Sequence, residues 1–148
     1  FYTVTTTEKL PVSSTVAKLR DIFHDESMTQ NNNIDFSMAK RDEYPYMYFI
    51  INHSGRGILT IQKPIDRDEL CRTRKCRCDQ CDLQLEIILN PHFNIELLTI
   101  RVLDINDHIP QFSYENFNLS IVENAKIGSV LKLEPAVDRD YGQNSIIG

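Results

Sequence analysis

The chain has 148 residues, 41% hydrophobic and 25% charged, and a net charge of −5 from 16 basic and 21 acidic residues. This is the make-up of a globular protein of one domain, or of one domain and part of another. It excludes a basic nucleic-acid-binding stripe, and no apolar run approaches the ~20 residues of a membrane span.

Phe1-Tyr2-Thr3-Val4 lacks the basic start and apolar core of a signal peptide, so targeting or anchoring segments are expected outside this chain. Thr5-Thr6-Thr7 reads as a strand ending in Glu8. Val16, Leu19, Ile22 and Phe23 recur near helical spacing, so 15–24 is a short helix or a strand leading into one. Asn31-Asn32-Asn33 is a loop. Met47-Tyr48-Phe49-Ile50-Ile51 is strand-like, Ser54-Gly55-Arg56-Gly57 is a turn and Ile58-Leu59-Thr60-Ile61 its partner strand, which together predict a hairpin. Leu83-Gln84-Leu85-Glu86-Ile87 alternates, Asn90-Pro91 breaks the run, and 95–103 is the next strand. Alternation returns over 118–122, and 128–133 follows a glycine. Short strands at this spacing predict an all-β, antiparallel sandwich. The last 40 or so residues echo the first: Ile121-Val122-Glu123 followed by Gly128-Ser129-Val130-Leu131 parallels Thr6-Thr7-Glu8 followed by Thr15-Val16-Ala17-Lys18-Leu19, a tandem-repeat pattern.

Cys71, Cys76, Cys78 and Cys81 are the only cysteines and fall within eleven residues. They suit either disulfides in an oxidising compartment or a compact Zn²⁺ site, but the spacing is not that of common zinc ribbons. Asn52-His53-Ser54 and Asn118-Leu119-Ser120 are glycosylation sequons, which favour the extracellular side. His24, His53, His92 and His108 fall in predicted turns or loops. No nucleophile–His–acid set is evident, so no enzyme is expected.

Carboxylates carry the chemical signal. They cluster at Glu8, at Asp66-Arg67-Asp68, at Asp104-Ile105-Asn106-Asp107-His108-Ile109-Pro110 and at Asp138-Arg139-Asp140. On extended chain, Asp66 and Asp68, and likewise Asp138 and Asp140, point the same way. Setting Glu8, Asp66, Asp68, Asp104, Asp107, Asp138 and Asp140 aside leaves 14 acids against 16 bases, so the acidity is concentrated in these groups. Gathering them costs several kcal/mol of repulsion unless divalent cations intervene, and hard Ca²⁺ prefers such oxygens. Paired carboxylates also suit a glycosidase, but Trp is absent and no aromatic platform is visible.

In order, these clusters resemble the inter-repeat Ca²⁺ motifs of the cadherin superfamily, over the whole chain. Ile65-Asp66-Arg67-Asp68-Glu69-Leu70-Cys71 is similar to the first repeat of protocadherins. The resemblance implies a Greek-key β-sandwich of immunoglobulin-like architecture: a first cadherin repeat with its linker over 1–108, and the start of a second repeat over 109–148, cut short. It implies up to three Ca²⁺ ions. Glu8, Asp66, Asp68 and Asp107 would serve the first. Glu8, Asp68, Asp104, Asp107, Asp140 and the Ile105 carbonyl would serve the second. Asn106, Asp138, Asp140 and the carbonyls of His108 and Asn144 would serve the third, left incomplete here. Asp68 stands where the family has Glu, and His108 replaces an Asn of which only the carbonyl is expected to matter. The family analogy pairs Cys71 with Cys81 and leaves the pairing of Cys76 and Cys78 open. The implied function is Ca²⁺-dependent, homophilic cell–cell adhesion by the extracellular, glycosylated part of a plasma-membrane protein, its partner another copy on an opposing cell. With no Trp, adhesion by exchange of an N-terminal tryptophan is unavailable. The alternatives are a non-adhesive receptor or spacer ectodomain with the same ions, and a Zn²⁺-binding module built on the four cysteines.

Overall fold

Strict alternation builds the longest strands. In Cys81-Asp82-Leu83-Gln84-Leu85-Glu86-Ile87-Ile88-Leu89-Asn90 every second side chain is buried, and Leu98, Ile100 and Val102 repeat the pattern opposite. A pleated strand sends such residues to one face, which must then be covered. The computed structural model describes residues 2–23 and 34–146. Its elements are β1 (Tyr2–Thr7), β2 (Thr15–Lys18), α1 (Leu19–Ile22), β3 (Asp35–Met38), β4 (Phe49–Asn52), β5 (Ile58–Ile61), α2 (Arg67–Arg72), β6 (Cys81–Asn90) and β7 (Asn94–Leu103). They form two sheets, ordered β1-β7-β6-β3 and β2-β5-β4. Side chains of both sheets meet in one core with Leu19, Phe49, Leu59, Ile65, Leu70, Leu85 and Ile100 at its centre. Each such fully buried side chain contributes roughly 1.5–3 kcal/mol.

Several expectations hold in detail. The β4–β5 hairpin is antiparallel with Phe49 opposite Ile61. Its turn uses Gly57 at φ +64, where an added Cβ would come within 2.6 Å of the Phe36 ring. Residues 15–23 are strand and then one helical turn, so both readings of that stretch apply to parts of it. The Asn31-Asn32-Asn33 loop and His24 lie outside the described residues.

Others need correction. The strand expected from Met47 begins at Phe49, because Tyr46–Tyr48 form a 3-10 turn after Pro45, closed by Tyr48 N–H to the Pro45 carbonyl and Phe49 N–H to the Tyr46 carbonyl. Tyr46 and Tyr48 are both buried in the core all the same. The pairing is not wholly antiparallel either. β1 lies parallel to β7, Tyr2 opposite Leu98. The two strands are far apart in sequence, so no tight turn dictates their direction.

The chain divides into two compact units, Phe1–Ile105 and Asn106–Gly148. All of β1–β7 belong to the first. In the second, the strands expected over 118–122 and 128–133 are not formed among the described residues. One bridge, Gln111 to Val137, is the pairing seen there. Leu119, Ile121, Val122 and Val130 stay exposed. An alternating sequence becomes a strand only when a neighbour accepts its ladder bonds and covers its apolar face.

Candidate metal centre

Glu8 ends β1 and turns inward, leaving it 2% exposed. Its backbone N–H donates to the Leu103 carbonyl at 3.1 Å. Its carboxylate accepts two more backbone bonds, from Arg67 N–H on Oε2 at 2.8 Å and from Ile105 N–H on Oε1 at 3.1 Å. One side chain thus ties β1 to the start of α2 and to the segment leaving β7. Burial pushes the Glu8 carboxyl above its ordinary pKa. The bonds from Ile105 and Arg67 act the other way, and the nearby negative Asp68 adds to the upward push. A cation beside Glu8 would relieve both burial and repulsion.

The Asp66-Arg67-Asp68 triplet is not on extended chain, as the sequence suggested. Asp66 is the N-cap of α2, accepting from Glu69 N–H at 2.9 Å, and Asp68 lies in the first turn. Aspartate satisfies the exposed N–H groups of a helix start, which is why the backbone bends there. The helical turn still aims both carboxylates usefully. One oxygen from each of Glu8, Asp66 and Asp68 lies within 4.8 Å of the others. Two oxygens across a Ca²⁺ ion, each at about 2.4 Å, are about that far apart, so the donor set and spacing fit this ion.

Asp104 is held from an unexpected side. Arg67 is 6% exposed, and its Nη1 lies 3.0 Å from Asp104 Oδ1. Its Nη2 donates to the Cys78 carbonyl at 2.7 Å. The sequence reading gave this arginine no role. Its position between two aspartates was the available signal.

In the second unit, Asp107, His108, Asp138 and Asp140 come together. Asp140 N–H donates to Asp138 Oδ1 at 3.0 Å, which closes that turn. His108 N–H donates to Asp140 Oδ2 at 3.1 Å. The imidazole of His108 is engaged as well, contrary to the expectation that only its carbonyl matters. Its Nδ1 lies 2.6 Å from Asp140 Oδ1 and 3.0 Å from Asp107 Oδ1. Carboxylates only accept, so Nδ1 carries the proton. Asn106 is exposed, while Asn144 is half-buried in a 3-10 turn. Ile105 is engaged through its N–H, in the bond to Glu8.

The cysteines pair as Cys71–Cys78 and Cys76–Cys81, so the Cys71–Cys81 bridge suggested by analogy is not formed. Cys71 sits near the end of α2 and Cys81 is buried at the start of β6. The loop between them folds back so that the bonded pairs have Cα atoms 4.9 and 5.0 Å apart, within reach of a disulfide. With all four cysteines paired and no free thiol among the described residues, the zinc alternative loses its ligands. Of the sequon residues, Asn52 is half-buried at the end of β4, its amide donating to Thr60 Oγ1 at 2.8 Å, and Asn118 is exposed.

No protein-family model matches the chain. Among curated proteins it is 39% identical to protocadherin gamma-B6 of Homo sapiens over 90 residues, which is 61% of this chain and 9% of that protein. It is 30% identical to protocadherin-18 of Homo sapiens over 143 residues, 94% of this chain and 12% of that protein. The chain therefore spans about a tenth of the length of these relatives. Among solved structures, the protocadherin gamma-B4 extracellular domain covers all of this chain at a TM-score of 0.73 and 28% identity, the chain being 22% of its length. Protocadherin gamma-B3 EC1–4 covers 97% at a TM-score of 0.72 and 28% identity, with the chain 32% of its length. The similar curated proteins are protocadherins, and the similar solved structures are protocadherin extracellular domains. The alternating strands, the two-sheet core and these similarities agree: the chain belongs to the cadherin superfamily, as a protocadherin-like extracellular cadherin repeat.

Proposed function

We propose that the chain is a Ca²⁺-dependent adhesion module: a first cadherin repeat with its linker over 1–108 and the start of a second over 109–148. Its ions would be held by Glu8, Asp66, Asp68, Asp104 and the Ile105 carbonyl, and by Asn106, Asp107, Asp138, Asp140 and the carbonyls of His108 and Asn144. The observation that carries the reading is the approach of Glu8, Asp66 and Asp68 to within 4.8 Å around a buried carboxylate. Ca²⁺, when bound, would supply positive charge that the carboxylate and carbonyl oxygens of these residues coordinate. The residues do the rest. Glu8 fixes β1 to α2 and to Ile105, the α2 cap orients Asp66 and Asp68, and Arg67 steadies Asp104. The linking run 104–110 becomes stiff when its carboxylates no longer repel. Extracellular Ca²⁺ modules of this kind work at roughly 10⁻⁴–10⁻³ M.

In this reading the protein is the extracellular, glycosylated part of a plasma-membrane protein, and its partner is a second copy on an opposing cell. No helix among the described residues is long and apolar enough to cross a membrane. Calorimetric Ca²⁺ titration of the chain, extended to a complete second repeat, tests the metal. Millimolar or tighter binding is expected, and Asp107→Ala is expected to weaken it more than any other single change, because by the family resemblance Asp107 would serve two of the ions. No binding, or an unaffected Asp107→Ala, defeats the reading. Beads coated with the full ectodomain test the partner. Clustering abolished by chelation is expected, whereas an absence of clustering with Ca²⁺ binding intact identifies a non-adhesive receptor or spacer.

A further inference from the structure

We propose that the Cys71–Cys78 cystine sets the strength of cation binding in the first unit, through Arg67 as a positioning residue. The inference rests on the Ca²⁺ reading above and concerns the control of that site. The geometry closes a ring. Arg67 is the first residue of α2 and Cys71 lies later in the same helix. The disulfide joins Cys71 to Cys78. The Cys78 carbonyl accepts from Arg67 Nη2 at 2.7 Å, and Nη1 of the same guanidinium lies 3.0 Å from Asp104 Oδ1. The Arg67 backbone N–H meanwhile donates to Glu8 Oε2. One residue thus touches two proposed ligands, Glu8 and Asp104, and its far end is anchored to a carbonyl that the cystine holds in place.

A guanidinium can serve here only because it is a planar fork with several donors. The Cys78 carbonyl holds one arm, leaving the other to fix Asp104. Without that anchor two effects act in the same direction. Asp104 loses its fixed orientation, and preorganisation of an anionic ligand is lost. The freed cation also turns more fully toward the carboxylates, where it competes with a divalent ion. Both weaken binding, while the net charge of the site stays the same. Removing the arginine itself would instead subtract a positive charge, so the cystine variant is the cleaner perturbation. The second disulfide, Cys76–Cys81, contains no atom of this ring and provides the comparison.

The experiment uses the full chain with both disulfides formed, the Cys71→Ser/Cys78→Ser and Cys76→Ser/Cys81→Ser double variants, and Arg67→Lys, which keeps the charge and both disulfides but has no fork. Ca²⁺ affinity is measured by calorimetry. Hydrogen exchange of the Arg67 and Ile105 amides is measured in EDTA, where no metal contributes. Cys71→Ser/Cys78→Ser and Arg67→Lys are expected to bind Ca²⁺ about tenfold more weakly, the low end of what loss of a ligand's outer partner costs. They are also expected to exchange both amides faster. Cys76→Ser/Cys81→Ser is expected to keep the affinity even where it lowers thermal stability. Wild-type affinity in Cys71→Ser/Cys78→Ser, or in Arg67→Lys should the former not fold, overturns the inference and leaves the Ca²⁺ reading standing. Equal weakening in both cystine variants also overturns it, since that marks a general loss of rigidity. A wild-type chain that binds no Ca²⁺ defeats the Ca²⁺ reading itself, and this inference with it.

Discussion

Replacing Asp66 with asparagine separates its two duties. As N-cap it accepts from Glu69 N–H at 2.9 Å, and asparagine caps a helix about as well as aspartate does. As an anion it lies within 4.8 Å of oxygens of Glu8 and Asp68. Two unit charges at about that distance repel by roughly 0.9 kcal/mol at the dielectric of water and about four times more at an effective value near 20. Asp66 is exposed, so the smaller figure applies, and screening at ~0.15 M salt cuts it by about half. Removing two such pairs therefore adds about 1 kcal/mol of stability when Ca²⁺ is absent. Against that stands the roughly 0.3–1 kcal/mol an acid contributes at a helix N-terminus. In EDTA, Asp66→Asn should be as stable as the wild type or better by up to about 0.7 kcal/mol. In millimolar Ca²⁺ the order should reverse. A tenfold loss of affinity removes about 1.4 kcal/mol of the stabilisation supplied by binding. Urea unfolding followed by circular dichroism, with and without Ca²⁺, measures both numbers. A variant that loses stability in EDTA yet keeps the full Ca²⁺ increment would refute the idea that Asp66 is a crowded anion awaiting a cation.

Gly57→Ala should cost about 2–4 kcal/mol, from left-handed backbone strain and from a Cβ driven into the Phe36 ring. Calorimetry should show a melting temperature lower by roughly 10–20 °C, and a change of only a few degrees counts against the tight turn. The raised pKa of Glu8 has a definite sign in EDTA. The folded state holds the proton more tightly than the unfolded chain. That contribution is fully present below the ordinary value of 4.5 and is lost as pH rises through the folded value. Urea midpoints for wild type and Glu8→Gln should thus diverge between pH 4.5 and neutrality, the wild type losing more stability as pH rises. Parallel pH profiles would show that Glu8 is not strained by burial.

Where a strand's partner lies nearby in sequence, or its alternation is long, the residues alone place it. The β4–β5 hairpin and the β6–β7 pair are of this kind. Their apolar positions fall at period two, and Gly55, Gly57 and Pro91 punctuate them. Residues 118–122 and 128–133 carry the same period but no paired strands, because alternation records what a segment offers to a sheet and says nothing of whether a neighbour is there to complete it. The boundary at Tyr46–Tyr48 escaped notice for a related reason. An aromatic-rich run of four residues, Tyr46 to Phe49, suits a buried 3-10 turn followed by a strand as well as a strand throughout, and the deciding bond, Tyr48 N–H to the Pro45 carbonyl, reaches back to a residue outside that run.

The acids were legible because charge is countable. Fourteen acids against sixteen bases remain once seven are set aside, and an imbalance so concentrated calls for a counter-ion. What no count reveals is direction. Arg67 enters a tally of charge as one more base beside two aspartates, a pair that largely cancels. In the folded chain it holds Asp104 with one arm and a cystine-fixed carbonyl with the other. His108 is similar: its carbonyl was the expected ligand, yet its imidazole reaches both Asp107 and Asp140. Both residues sit within the acidic motifs, so the motif names the ion while its non-acidic members set the geometry in which the acids wait. That geometry depends on the pairing of Cys71 with Cys78, which four cysteines in eleven residues leave open. Of the three possible pairings, this one fastens the Cys78 carbonyl directly to α2, the helix that carries Asp66, Arg67 and Asp68.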